Sequence, residues 1–280
     1  MTLLAAIPAG LVIAVTAAIS TDLTPAPFVW VLPLSLYLLT FVAIFRDRAW
    51  VPHARVLSLV PFAAVALIAT ASTVVRPYLS VLLVMHLVSF VVLALACHGE
   101  LYRRRPEPAR LTEFYLWTSF GGVIGGILAG LIAPHVFNGI AEYPILILAA
   151  LLAMPGAFAG GRRRFLRQSG PGLVLAALAA TLMGLHVRVS ANAALPVEIG
   201  LILLAGAMVL VRRQPACFFG LAVLAFVISS LEPAFSRIEQ VRNFFGVHRV
   251  VEDVAHNWRL LLEGRPCTAP NAYAMRMEPR

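Results

Sequence analysis

Residues 78–105 read YLSVLLVMHLVSFVVLALACHGELYRRR, and this stretch decides the fold. Residues 78–97 carry no charged side chain and match the roughly 20 residues an α-helix needs to cross a bilayer. Lipid offers no partner for unpaired backbone groups, so such a run has to be helical. It is followed by Arg103, Arg104 and Arg105, the mark of a helix that leaves the bilayer on its cytoplasmic side.

Comparable apolar stretches recur along the chain. They cover about 3–20, 28–45, 56–75, 78–97, 114–133, 143–160, 171–187, 195–211 and 215–235. The expectation is an all-α, polytopic membrane bundle of about nine spans over residues 1–235. Composition agrees: 60% of the 280 residues are hydrophobic and 12% charged, against about 25% charged in soluble domains, and the mean hydropathy is +0.88. The N-terminal segment MTLLAAIPAG has no basic residue and no charge comes before Asp22, so residues 3–20 read as a first span and not as a cleaved signal.

The net charge of +9 could suggest a nucleic-acid partner, but the basic residues, all arginine, lie between apolar stretches and not on one surface. They act as topology signals. Loops after the second, fourth, sixth and eighth spans carry Arg46, Arg48 and Arg55; Arg103, Arg104, Arg105 and Arg110; Arg162, Arg163, Arg164 and Arg167; and Arg212 and Arg213. The alternate loops carry only Arg76 and Arg188, thirteen against two. This asymmetry places the N-terminus and the arginine-rich loops in the cytoplasm.

After Phe235 the composition changes, and residues 236–280 form a separate soluble tail. Phe244–Val251 can form a strand, and Trp258-Arg-Leu-Leu-Leu262 follows a polar turn, so a short β-hairpin is expected there. Nine spans from a cytoplasmic N-terminus send this tail outside. Arg237, Arg242 and Arg249 favour an inside tail, which would make the ninth segment, with Ser229, Ser230 and Glu232, re-entrant.

Ionisable groups within or at the edge of apolar stretches are the candidate functional residues, because their cost there needs a partner or a role. They are Asp22, His86, His98, Glu100, Glu113, His135, Glu142, His186 and Glu232. His86, near the middle of the fourth span, reads as an interhelical hydrogen bond or as a proton or substrate site. Glu113 and Glu142 start helices, where a carboxylate favours the macrodipole; Glu232 ends one, where it opposes it. Asp22 sits in Thr21-Asp22-Leu-Thr24-Pro25, a segment that helix-start chemistry explains. Asp22, His135 and Glu142 share the outer side and could line an outward cavity. In the fifth span Gly122, Gly126 and Gly130 fall on one face, the spacing of a close helix–helix contact.

No nucleotide-binding glycine fingerprint, phosphate-loop lysine, nucleophile elbow or zinc-protease motif occurs in the sequence. Cys97, Cys217 and Cys267 lack disulfide or metal spacing. No cofactor, metal or catalytic residue is expected.

Several blocks resemble the membrane region of bacterial membrane-bound spermidine-synthase-like proteins. They are Ser20-Thr21-Asp22; Trp30-Val-Leu-Pro33-Leu-Ser-Leu-Tyr37-Leu-Leu-Thr-Phe41; Cys97-His98-Gly99-Glu100-Leu101; Leu111-Thr112-Glu113-Phe114-Tyr115-Leu116; Gly121–Gly126; Ala133-Pro134; and Glu142-Tyr143-Pro144. Phe244-Phe245-Gly246-Val247 with Arg249-Val250 is similar to the family's entry into its synthase-like domain. In order and spacing the blocks cover most of residues 1–251. Asp22, Tyr37, His98, Glu100, Glu113, Tyr115, Glu142 and Tyr143 match the family's motif positions.

The resemblance implies a multi-span region that precedes an aminopropyltransferase-like domain binding decarboxylated S-adenosylmethionine and a polyamine. Here Glu263-Gly264-Arg-Pro-Cys-Thr-Ala-Pro-Asn271 replaces the family's His-Gly-x-Gln segment and no nucleotide-binding domain follows, so synthase activity is not carried over. A fragment, a split gene product or a degenerate copy is implied. The first functional expectation is a non-enzymatic membrane module that anchors or cooperates with a soluble synthase-like partner or with further copies of itself. The alternative is a permease for a small solute, such as a polyamine or other cation; a membrane-embedded enzyme comes third.

Overall fold

A computed structural model describes residues 1–22, 30–46, 50–70, 78–158, 160–184, 194–229, 236–243, 246–253, 258–263 and 272–276. The protein is mostly helical. The helices are α1 (Thr2–Asp22), α2 (Val31–Ile44), α3 (His53–Ala69), α4 (Leu79–Arg103), α5 (Leu111–Ile127), α6 (Ala133–Val136), α7 (Glu142–Ala153), α8 (Gly161–Gly184), α9 (Ala194–Leu210) and α10 (Pro215–Ser229). Three helical stretches, Thr2–Ser20, Ser80–Arg103 and Pro108–Val136, are long and apolar enough to cross a membrane. Five more are apolar but shorter among the described residues: Val31–Ile44, His53–Ala69, Glu142–Ala153, Ile199–Leu210 and Pro215–Ser229.

α5 and α6 form one rod joined by a π turn at Leu128–Ile132. Pro134 has no N–H to give the Gly130 carbonyl and its ring crowds that carbonyl. The helix widens there, and the Ala133 N–H reaches back to the Leu128 carbonyl.

α1 is apolar on every side, the pattern of a fully packed helix, and it forms the centre. Of its apolar window 67% is buried, against 28% for the α5–α6 rod at the periphery. Ile7, Leu11, Ala14, Val15 and Ile19 of α1 meet Phe90, Leu93, Ala94 and Cys97 of α4 and Ile147 and Ala150 of α7 in one core. The outward faces are also apolar: Leu116, Val123 and Leu131 on the rod, Val84 and Val88 on α4, Val174 and Leu178 on α8, and Leu203 on α9 are exposed. The buried hydroxyls of Thr118 and Ser169 are satisfied within their own helices, on the Phe114 and Phe165 carbonyls.

The close contact between α1 and α5 lies one residue away from the expected face. A methyl group on Gly121 would strike the Thr2 carbonyl oxygen, and one on Gly125 the Ala6 carbonyl oxygen. Ala129 continues this buried row one turn on. By contrast, Gly122 has nothing within 4 Å, while Gly126 and Gly130 reach only Ile13. The stripe is therefore Gly121, Gly125 and Ala129, and it lets two parallel helices touch backbone to backbone. A second such crossing joins α8 to α10, where Gly172 lies on Gly220 and Gly220 on the Ser169 backbone.

The tail is larger than a hairpin. β1 (Ser236–Asn243), β2 (Gly246–Asp253), β3 (Trp258–Glu263) and β4 (Ala272–Arg276) form a four-stranded antiparallel meander in the order β1-β2-β3-β4. The expected strand and the Trp258 segment correspond to β2 and β3. β1 and β4 went unread because Ser236–Asn243, SRIEQVRN, is mostly polar and Ala272–Arg276 is short.

Candidate functional site at the two ends of the bundle

The arginine-rich segments gather at one end. Met1, Arg104, Met154 and Gly156 line one shallow cavity, and Gly156, Arg164, Gln168, Arg213 and Gln214 line its neighbour. The N-termini of α1, α8 and α10 and the C-termini of α4, α7 and α9 thus share this end.

The Cys97-His98-Gly99-Glu100 segment of α4 faces α2 and α3 near it, and each residue has a separate reason. Thr40 donates its hydroxyl to the Tyr37 carbonyl (2.6 Å), which leaves Thr40 Oγ1 to accept from His98 Nδ1 at 3.1 Å. The buried imidazole is also met edge-on by Tyr37 and Phe41, with ring centroids 5.5 and 4.9 Å away. Gly99 is needed because the His53 ring of α3 occupies the space a side chain would take. Glu100 Oε1 accepts from Arg104 Nε and Nη2 at 3.2 and 3.1 Å. Glu100 Oε2 lies 3.4 Å from His53 Nε2, an ion-pair distance without hydrogen-bond geometry. This cluster fastens α2 and α3 to α4.

The opposite end is built around Glu142, the first residue of α7. It stands in the first turn of the helix, as expected, and its side chain also binds a distant cation. Arg242 of β1 donates Nη2 to Glu142 Oε1 at 2.6 Å and Nη1 to Oε2 at 2.9 Å, and Nη1 also reaches the Gly139 carbonyl at 2.6 Å. Only 7% of the Arg242 side chain and 6% of the Glu142 side chain are exposed. Such a two-pronged guanidinium–carboxylate pair is among the stronger polar contacts. Opposite Arg242 in the sheet stands Val247, which is buried. Next to Glu142, the Tyr143 hydroxyl shares a 3.0 Å hydrogen bond with His86 Nδ1, which ties α7 to α4.

The other sequence candidates are not drawn into either cluster. Glu113 is exposed in the first turn of α5. His135, also exposed, bonds the Leu131 carbonyl of its own helix at 2.7 Å. Asp22 is the last residue of α1; its side chain, together with His186 and Glu232, lies outside the described residues. The expected outward cavity of Asp22, His135 and Glu142 rests in part on the Asp22 side chain and so lies outside the described residues. Sequence reasoning missed His53, Thr40 and the pairing of Arg242. Nothing in their local sequence names a partner, because the Glu142–Arg242 contact joins residues 100 positions apart.

Among the described residues no group of three or more His, Cys, Asp or Glu is placed to hold a metal ion. No family model matches the chain, and no curated protein or solved structure is detectably similar to it.

Proposed function

We propose that this chain is a multi-pass integral membrane protein that crosses the inner membrane about nine times. In this reading it is a non-enzymatic module comparable to the membrane region of spermidine-synthase-like proteins. The apolar outward faces support a bilayer, since soluble proteins rarely expose contiguous apolar patches beyond a few hundred Å².

The observation that carries the reading is the place of the sheet. Arg242 joins it to the end of α7 that is remote from the arginine-rich loops. Its charge is spent on Glu142, so Arg242 does not count as a cytoplasmic retention signal, and of the three tail arginines only Arg237 and Arg249 still favour an inside tail. The ninth span, α10, then crosses, and the sheet lies outside the cytoplasm.

A soluble synthase-like partner would join at this sheet, far from any cytoplasmic cosubstrate, which is why the module is read as an anchor or assembly surface and not as an aminopropyltransferase. Affinity purification of the full chain from its native membrane tests this. A separately encoded soluble domain that co-purifies, and is lost when β1–β4 are deleted, is the expected result; no such partner would count against the module. The buried carboxylate Glu142 favours a second reading, a permease for a small cation. If uptake by reconstituted vesicles equals that of empty ones, that reading fails.

A further inference from the structure

We propose that the Glu142 carboxylate and the Gly139 carbonyl form a binding site for a guanidinium-bearing cation, which Arg242 of the chain's own sheet occupies. The proposal stands on the geometry at the head of α7 and not on the number of crossings.

The cradle consists of acceptors only: both Glu142 oxygens and the Gly139 oxygen, all within 2.9 Å of the two terminal guanidinium nitrogens. Parallel N–H donors in a plane fit this set, whereas a rotating ammonium meets it as a point charge. The occupant enters from the sheet side. The sheet meets the bundle through Arg242 and where β2, whose Val247 is buried, touches α1. The cradle's inner neighbour, the Tyr143–His86 pair, belongs to the helices.

The site therefore has a fixed half in the bundle and an occupant on a separate element. When β1 lifts, the Glu142 carboxylate and the Gly139 carbonyl lose their cation. A soluble guanidinium of the same shape takes that place and competes with Arg242. No group is transferred and no bond is made or broken.

Methylguanidinium chloride is the probe, with tetramethylammonium chloride at equal concentration as the control for charge and ionic strength. Hydrogen exchange is followed in the full chain in lipid nanodiscs. If the cradle accepts the probe, methylguanidinium at 100 times its Kd multiplies the open population about a hundredfold, and amides of residues 236–253 exchange correspondingly faster. Tetramethylammonium leaves them unchanged. A Glu142→Gln/Arg242→Ala variant loses the response to methylguanidinium, while Arg242→Ala alone shows a rise in thermal midpoint with it and not with tetramethylammonium. Equal exchange with both salts in the wild-type chain, or an equal midpoint shift in Arg242→Ala, would reduce the contact to a structural latch and overturn the proposal.

Discussion

His86 and His98 sit on the same helix, twelve residues or about 18 Å of helix axis apart, and each belongs to a polar cluster of a different kind. Around His98 the partners are Thr40 and Tyr37 and around Glu100 they are His53 and Arg104, all from α2, α3 and the C-terminal end of α4, with Arg104 one turn from Glu100. Beside His86 and Tyr143, Glu142 finds its cation 100 residues on, in another layer of the fold. The first cluster sets how neighbouring helices pack. The second decides where the sheet goes. Arginine behaves differently in the two: at the first end Arg103, Arg105, Arg162 and Arg213 are exposed, free to act as topology signals, while at the second Arg242 is neutralised and buried.

The contrast can be broken most severely at Arg242. Arg242→Ala leaves Glu142 buried without a cation, a loss of about 3–5 kcal/mol. Limited proteolysis should then cut residues 236–276 while the helices stay protected; Glu142→Gln/Arg242→Gln, with no charge left to bury, should restore part of the protection. The next largest effect concerns the α1–α5 contact. Gly125→Ala drives a methyl into the Ala6 carbonyl and should lower stability by about 1–3 kcal/mol. Gly122→Ala, with open space around it, should stay within about 0.5 kcal/mol. Thermal midpoints of the two variants in one detergent compare them directly, and equal midpoints would return the packing face to the one read from the sequence.

At the other cluster the effect is smaller. A double-mutant cycle of Thr40→Val and His98→Ala should give a coupling of about 0.6 kcal/mol, the average for hydrogen bonds between membrane helices. A coupling of several kcal/mol would make the two clusters equivalent. Glu113→Gln, at an exposed helix start, should cost less still, about 0.3–1 kcal/mol from the helix dipole, read as a midpoint shift at low salt.

The helices were legible because apolar runs such as 78–97 leave the backbone no alternative. Gly121–Gly126 announced a close helix contact, but two glycine pairs four apart, 121/125 and 122/126, occur in the same six residues. Which pair faces α1 depends on α1, and local sequence cannot choose. Glu142 was visible as a costly residue, yet its role was read as a helix start since nothing nearby competes; its partner lies beyond a stretch whose pairing only the fold supplies. His53 was overlooked because a histidine after Pro52 in a basic loop carries no signal of burial. Its place is set by the missing side chain of Gly99. β1, SRIEQVRN, lacks the apolar alternation that made β2 visible.

The central claim is that the sheet lies across the bundle, and so across the membrane, from the arginine-rich loops. Paired reporters of compartment fused at Gln214 and at Arg280 measure it. The account predicts opposite compartments, with Gln214 in the cytoplasm and Arg280 outside. The same compartment for both would mean that α10 does not cross and would contradict it.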